Sequence, residues 1–389
     1  MTNSLNTWTR DRLAVLDRRD RRRELRTTSR HDGARVHTAD GEFISFACND
    51  YLALSRHPEV IAAAMEATLR HGTGSGASRL ISGNNPEYEH LERRLAAFKG
   101  SEDAVVFGSG YLANLGILSA LMGNRDLIVL DELAHSCLLN GARLAGSRTL
   151  HFRHNDADHC NELLSANRRA HRHVLVATEG VFSMDGDRAP LARLAEVCEA
   201  HDAWLLCDDA HGLGVLGHGR GTVAEAGVAG RVPLQMGTLS KALGAYGGFV
   251  CASRPVCDFL RNRAQTFVYS TGLPPGVVAA ATKALEIIER DAALVARPLA
   301  NALEFTRVLG VAPAESAIVP LVLGSSAAAT AASARLAERG LFVPAIRPPT
   351  VPQGTARLRF AFSAAHTDAD IAALATAVGE LVQPTGEAP

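Results

Sequence analysis

Six short apolar runs, at 104–107, 127–130, 173–178, 203–208, 234–238 and 248–252, each break off at a polar or glycine-bearing turn, with helical patterns at 111–122, 136–145 and 191–201 among them. That alternation commits the chain to an α/β fold. A long helical stretch over 275–309 closes the region. Beyond it, 317–324, 341–346 and 356–363 read as strands, and 327–339 and the last segment as helices, which predicts a smaller α+β domain. With 389 residues there is room for both. The expected division is a helical segment and arm over 1–45, a large domain over 46–285 and a small C-terminal domain over 286–389. In the arm, an amphipathic helix would turn Leu13, Leu16 and Leu25 toward the body and leave Arg21-Arg22-Arg23 as a solvated face.

In open α/β sheets ligands bind beyond the carboxyl ends of the strands, so the residues there decide what chemistry is possible. Only three of the 40 lysines plus arginines are lysine: Lys99, Lys241 and Lys283. Lys241 follows the run 234–238 among small and apolar residues. An amine can lose its proton and condense with a carbonyl, which a guanidinium cannot do. A plain lysine in a surface turn is the alternative. Asp208 ends the run 203–208, and His211 follows in DDAHGLG. A carboxylate at that edge can keep a ring nitrogen protonated and make the ring a better electron sink. A metal held by Asp208, Asp209 and His211 is the other use of these residues, although the glycines that follow offer no further ligand.

Three further stretches lead to the same edge. FGSGYLAN, 107–114, passes from strand to helix, where glycines and a helix N-terminus suit an anion as well as they make a simple turn. His135 opens the helix after the run 127–130, where a flat imidazole can stack on a planar ring or stand without a ligand. VATEGVFSMDGD, 176–187, brings Ser183 to the edge. An amine, an acid, a hydroxyl and a phosphate cradle are together what pyridoxal phosphate needs.

Bulk properties exclude other classes. A net charge of −1 gives no general drive toward nucleic acid or membrane. Seven cysteines without a C-x-x-C pair imply neither a zinc knuckle nor a disulfide framework, and suit a reducing compartment. The N-terminal segment lacks the uninterrupted apolar region of a signal peptide, and no stretch approaches the roughly 20 apolar residues that span a bilayer. A cytoplasmic protein without a metal is expected.

Jointly, FACNDYLAL (46–54), GSGASRLISGN (74–84), TEGVFSMDGDRAPL (178–191), DDAHGLG (208–214), TLSKALG (238–244) and AIRPPTVPQGTARLR (345–359) resemble the α-oxoamine synthase family of fold-type I pyridoxal-phosphate enzymes. The similarity covers nearly the whole chain, and DGDRAPL with the last segment favours the branch that makes 8-amino-7-oxononanoate. The resemblance implies a fold-type I PLP-dependent transferase with a large mixed-sheet domain and a smaller C-terminal α+β domain, working as a homodimer with its sites at the interface. It implies that Lys241 carries the cofactor as a Schiff base, that Asp208 pairs with the pyridine nitrogen, that His211 contacts the ring hydroxyl and that His135 stacks on the ring, where it also meets substrate. Gly110 and Tyr111 are implied in the cofactor loop, Ser183 and Thr238 as polar contacts, and Ser270 and Thr271 as groups that reach the phosphate from the partner subunit. Arg359 is implied for the carboxylate of alanine, and Arg26, Arg347 and Thr350 for the acyl chain and its distal carboxylate. Two departures stand out: Tyr111 where phenylalanine is often found, and Ser240 where glycine is common. Neither removes a functional group.

The implied reaction is the decarboxylative condensation of L-alanine with a pimeloyl thioester, carried by CoA or an acyl carrier protein, in biotin biosynthesis. With the same cofactor, the alternatives are a sister synthase that condenses glycine with acetyl- or succinyl-CoA, and an aminotransferase. A non-catalytic cofactor-sensing module is the alternative from a different class.

Overall fold

The computed structural model of the chain describes residues 3–18, 21–23, 25–31 and 33–382. They divide into two compact units, the residues up to 47 with 321–359, and 48–320 with those from 360 onward. Position 285, the expected edge of the large domain, lies inside the helix Pro275–Arg290.

The larger unit is built on a seven-stranded sheet. In chain order its strands are β1 (Asp103–Phe107), β2 (Leu127–Asp131), β3 (Arg148–Phe152), β4 (Val174–Glu179), β5 (Trp204–Asp208), β6 (Leu234–Thr238) and β7 (Gly248–Ala252), arranged β1-β7-β6-β5-β4-β2-β3. The five strands β2 to β6 run parallel, and β7 is antiparallel to both β1 and β6. The sheet is therefore mixed. Side chains alternate between faces with a period of two. Ala104 and Val106 join one apolar cluster with Tyr88, Leu91 and Leu95, while Val105 and Phe107 join another with Ile117, Leu118 and Leu138. Helices thus cover both faces, which is why the strands read as unbroken apolar runs. The helices that matter for the site are α1 (Pro86–Lys99), α2 (Gly110–Leu121) and α3 (Ser136–Ala145).

Strand β3 escaped the sequence reading. RTLHF is an edge strand with only Phe152 buried, so it lacks the apolar run that marks its neighbours. The stretch 275–309 is two helices, Pro275–Arg290 and Ala292–Leu309. Asp291 leaves the helical conformation and caps the second helix, accepting from Leu294 N at 2.9 Å. The segment 341–346 is two short strands, Leu341–Phe342 and Ala345–Ile346, separated by Val343-Pro344. Proline there supplies no N–H to a ladder.

In the smaller unit, Arg35–Thr38 and Gly41–Ser45 pair antiparallel, and Leu341–Phe342 joins Gly41–Ser45 in parallel. The expected N-terminal helix forms over Ser4–Arg18, yet none of its residues is buried. Leu13 and Leu16 are about 40% exposed, and Leu25, beyond the helix, is fully exposed. These leucines do not enter a core as expected. No helix among the described residues is long and apolar enough to cross a membrane.

Candidate active site

The parallel strands deliver their polar ends to one edge of the sheet. Glu179 and Asp208 end β4 and β5 and stand opposite each other in the ladder, and Asp208 stands opposite Met236 of β6. Partners in a parallel ladder share a face, so two carboxylates lie side by side in a buried place. Burial first, and the neighbouring Asp208 charge second, push the Glu179 carboxyl up to about 8. Glu179 is held by two backbone donors: His135 N reaches Oε1 at 2.7 Å and Ser183 N reaches Oε2 at 3.2 Å. One side chain therefore ties the turn after β2 to the turn after β4.

Asp208 is buried. Its Oδ2 accepts from Asn114 Nδ2 of α2 at 2.6 Å, and its Oδ1 from Ala210 N at 3.0 Å. Three residues on, buried His211 bridges two groups: Nε2 lies 2.7 Å from Lys241 Nζ, and Nδ1 lies 2.6 Å from Tyr51 Oη. An ammonium can only donate, so with Lys241 protonated Nε2 accepts and Nδ1–H points at the Tyr51 oxygen. Lys241, half-buried, follows β6 in a tight turn in which Gly244 N bonds the Lys241 carbonyl at 2.8 Å. Gly244 has φ +64°, and a Cβ there would come within 2.1 Å of Ser55 N.

His135 caps α3, its Nδ1 accepting from Cys137 N at 3.2 Å. That bond leaves the proton of the neutral ring on Nε2. The ring is exposed, yet the protein packed behind it disfavours the charged form and lowers its pKa; Asp208 opposes this shift and Lys241 adds to it. The same electrostatic neighbourhood thus contains His135, Asp208, Glu179 and Lys241.

Helix α2 begins at this edge, directly after β1. The first N–H groups of a helix have no partner within it, so Gly110 and Tyr111 present donors there. A Cβ on Gly110 would lie 3.0 Å from Met236 Cε and 3.5 Å from Thr238, and one on Gly248 would strike the Gly110 backbone at 2.5 Å. The glycines let the helix start press close to the end of β6, a cradle that side chains would fill. Thr238 is buried and donates to Gly247 O at 2.9 Å. The Tyr111 hydroxyl accepts from Asn140 Nδ2 of α3 at 2.7 Å. Beside Asp208, the buried Asn114 Oδ1 has no hydrogen-bond partner. Together the cradle, the paired amine and imidazole, and the acid fit a flat, phosphate-bearing aldehyde.

Ser270 is half-buried, and Thr271 is exposed and bridges Ser78. Arg26, Arg347, Thr350 and Arg359 all belong to the smaller unit. There Arg359 is buried, Arg347 half-buried and Arg26 exposed. A cavity of about 310 Å³ is lined by the segment 345–350 together with Arg21 and Arg23, and Arg23 Nη2 donates to Thr350 Oγ1 at 3.2 Å. Arg26 is not among its lining residues. The metal alternative has no support in the geometry: Asp209 turns away from Asp208 to the other face, and no group of three or more potential ligands gathers among the described residues.

Sequence reasoning missed Tyr51, Asn114 and Glu179. Glu179 had a signal, since β4 ends in an acid just as β5 does. Asn114 had a weaker one, a lone amide in an otherwise apolar helix. Tyr51 had none, because it meets His211 from 160 residues away.

A model of the family described as aminotransferase class I and II matches residues 41–378. The 8-amino-7-oxononanoate synthase of Beijerinckia indica subsp. indica is 54% identical over 380 residues, 98% of this chain and 98% of that one. Among solved structures, serine palmitoyltransferase of Sphingomonas wittichii is 32% identical and covers 100% of both chains, with a TM-score of 0.91. Another, SPT with PLP, is 29% identical over 97% of this chain and 98% of that one, with a TM-score of 0.88. The chain belongs to the aminotransferase class I and II family, with the fold-type I architecture, and within it to the 8-amino-7-oxononanoate synthases of the α-oxoamine synthase group.

Proposed function

We propose that this protein uses pyridoxal 5′-phosphate to condense L-alanine with a pimeloyl thioester, on CoA or an acyl carrier protein, giving 8-amino-7-oxononanoate, carbon dioxide and the free thiol in biotin biosynthesis. The observation that carries the reading is the contact between the Lys241 amine and His211, beside the buried Asp208 at the strand ends, in a chain 54% identical to a synthase of that name. When bound, the cofactor supplies an aldehyde for an amine and a ring that takes up the electron pair of a breaking Cα–H bond.

The chain's residues do the rest. Lys241 Nζ tethers the cofactor, takes the Cα proton of alanine once freed, and later returns a proton. The Asp208 carboxylate, oriented by Asn114, keeps a ring nitrogen protonated. His211, held between Tyr51 and Lys241, meets the ring hydroxyl. His135, kept neutral by the protein behind it, offers a flat face to the ring and to substrate. Gly110 and Tyr111 N–H groups receive the phosphate at a helix start, with Ser183 and Thr238 as further polar contacts. Arg359 takes the carboxylate of alanine; Arg347 and Thr350, which line the cavity that Arg26 does not reach, take the distal carboxylate of the acyl chain. The new bond joins alanine Cα to the thioester carbonyl. The thiolate leaves and is protonated, and the carboxylate departs as carbon dioxide. The same reading makes the protein a cytoplasmic homodimer in which Ser270 and Thr271 serve the partner's phosphate, consistent with the exposure of Thr271.

The test is to incubate purified protein with alanine and pimeloyl-CoA and to measure thiol release and product mass. Thiol release with glycine and acetyl-CoA but not with this pair would move the protein to a sister synthase. Amino transfer to a keto acid without thiol release would make it an aminotransferase.

A further inference from the structure

Lys99 is the one buried lysine whose role the chemistry above leaves open. It is the last residue of α1, and its side chain is 1% exposed. Nζ lies 3.1 Å from Asp209 Oδ2, whose side chain is 0% exposed, and also donates to the Arg220 carbonyl. Asp209 accepts from Thr222 N at 3.1 Å (Oδ1) and 3.0 Å (Oδ2), and from Thr222 Oγ1 at 2.6 Å. Three glycines wall it in. A Cβ on Gly221 would fall 1.8 Å from Asp209 Oδ2, one on Gly212 2.2 Å from Oδ1, and one on Gly180 2.8 Å from Oδ1. A carboxylate enclosed this way is without water and depends on its counter-charge.

Asp209 directly follows Asp208, and successive residues at a strand end point to opposite faces. Asp208 turns toward Asn114 on α2, and Asp209 toward Lys99 on α1. The backbone between them is held too: Asp209 N donates to Met236 O at 2.9 Å, and Gly180 N to Asp208 O at 2.8 Å. Fixing one carboxylate therefore fixes the direction of the other and of the turn that carries His211.

We propose that the Lys99–Asp209 ion pair is a positioning device for the cofactor site, aiming Asp208 and His211 at the ring and cancelling a second negative charge directly behind Asp208. The proposal rests on the reading of Asp208 and His211 as cofactor-facing residues. Neither Lys99 nor Asp209 touches the reacting atoms.

The experiment follows the visible absorbance of the cofactor-loaded protein against pH in wild type, Lys99→Met, Asp209→Asn, the double variant and Asp208→Asn, with melting temperature alongside. In Lys99→Met an unpaired carboxylate stands behind the site, so the midpoint of the spectral titration should rise by about one unit. In Asp209→Asn an unpaired ammonium should lower it. The double variant, with neither charge, should return to within about 0.3 unit of wild type. Cofactor release should quicken in both single variants. Should Lys99→Met not fold, the downward shift in Asp209→Asn and the recovery in the double variant decide the matter. Midpoints that stay at the wild-type value while only melting temperatures fall would reduce the pair to packing and overturn the proposal. If Asp208→Asn also left the spectrum and its titration unchanged, the reading of the site itself would fail; a spectrum altered by Asp208→Asn alone would sink only the ion-pair proposal.

Discussion

Replacing His154 with glutamine should lower the melting temperature of the holoprotein by about 3 °C near pH 6.5 and by less than about 1 °C at pH 10. His154 Nδ1 lies 3.0 Å from Asp131 Oδ1 at the end of β2, and Nε2 lies 2.7 Å from Asp187 Oδ2 in the turn that carries Ser183. The ring stands edge-on to Phe182 at 4.4 Å, and its backbone N donates to Glu132. Burial disfavours the charged ring, but the hydrogen bonds and charges of Asp131 and Asp187 outweigh it and push the pKa up to about 10. The folded value lies above the unfolded one of about 6.5, so the stabilisation is complete below pH 6.5 and is lost as pH rises toward 10. The full shift corresponds to roughly 5 kcal/mol at 1.36 kcal/mol per unit. The side chain is 22% exposed, and allowing for solvent screening leaves about 2–3 kcal/mol. A chain of 389 residues has an unfolding entropy near 0.8 kcal/mol/K, taking about 2.1 cal/mol/K per residue, which converts that figure to about 3 °C. The assay is paired thermal melts of wild type and His154→Gln from pH 6 to 10, in which groups common to both cancel. A gap that stays flat or widens with rising pH would refute the doubly paired imidazolium.

The remaining expectations concern the site directly. Lys241→Ala and Lys241→Arg should both abolish turnover while the fold persists, and borohydride reduction followed by peptide mapping should label Lys241; a label on Lys99 or Lys283 would end the assignment. Asp208→Asn keeps a hydrogen-bonding group but not the charge, so cofactor affinity should fall moderately and kcat steeply. Turnover at the wild-type rate would remove Asp208 from the ring nitrogen. Arg359→Ala should raise the alanine requirement with every acyl donor, and an unchanged KM for alanine would contradict its carboxylate role.

What was legible in the sequence is what proximity along the chain can carry. The strands β5, β6 and β7 end in recognisable turns because they are buried on both faces and must stop where polar groups begin. Asp208, His211 and Lys241 could be placed from those stops. The groups that orient them could not, because each arrives from a distant element. Tyr51 reaches His211 across 160 residues, Asn114 reaches Asp208 across 94, and Lys99 reaches Asp209 across 110. The glycines at 180 and 212 were visible in their motifs, and Gly221 stood outside any motif, but the reason all three carry no side chain is a carboxylate seen only in three dimensions.

The arginine-rich arm tests the same limit. A run of identical side chains has no period, so Arg21-Arg22-Arg23 read as a solvated face and Arg26 was carried over by resemblance. In the structure Arg21 and Arg23 line the cavity with 345–350, and Arg26 does not. If this cavity takes the distal carboxylate of the acyl donor, Arg347 is not its sole guanidinium. A charge-assisted hydrogen bond is worth about 1.5–3 kcal/mol, or roughly ten- to hundredfold in kcat/KM. With Arg23 in reserve, Arg347→Ala should fall at the lower end of that range, about tenfold, with a pimeloyl thioester, and much less with a monocarboxylic thioester of equal length. Arg23→Ala should cost less alone and more than its single effect in the Arg347→Ala background, because the two share one anion. Arg26→Ala should change neither donor. Equal losses for both thioesters in Arg347→Ala, or a donor-selective loss in Arg26→Ala that Arg23→Ala lacks, would move the distal-carboxylate site away from this cavity.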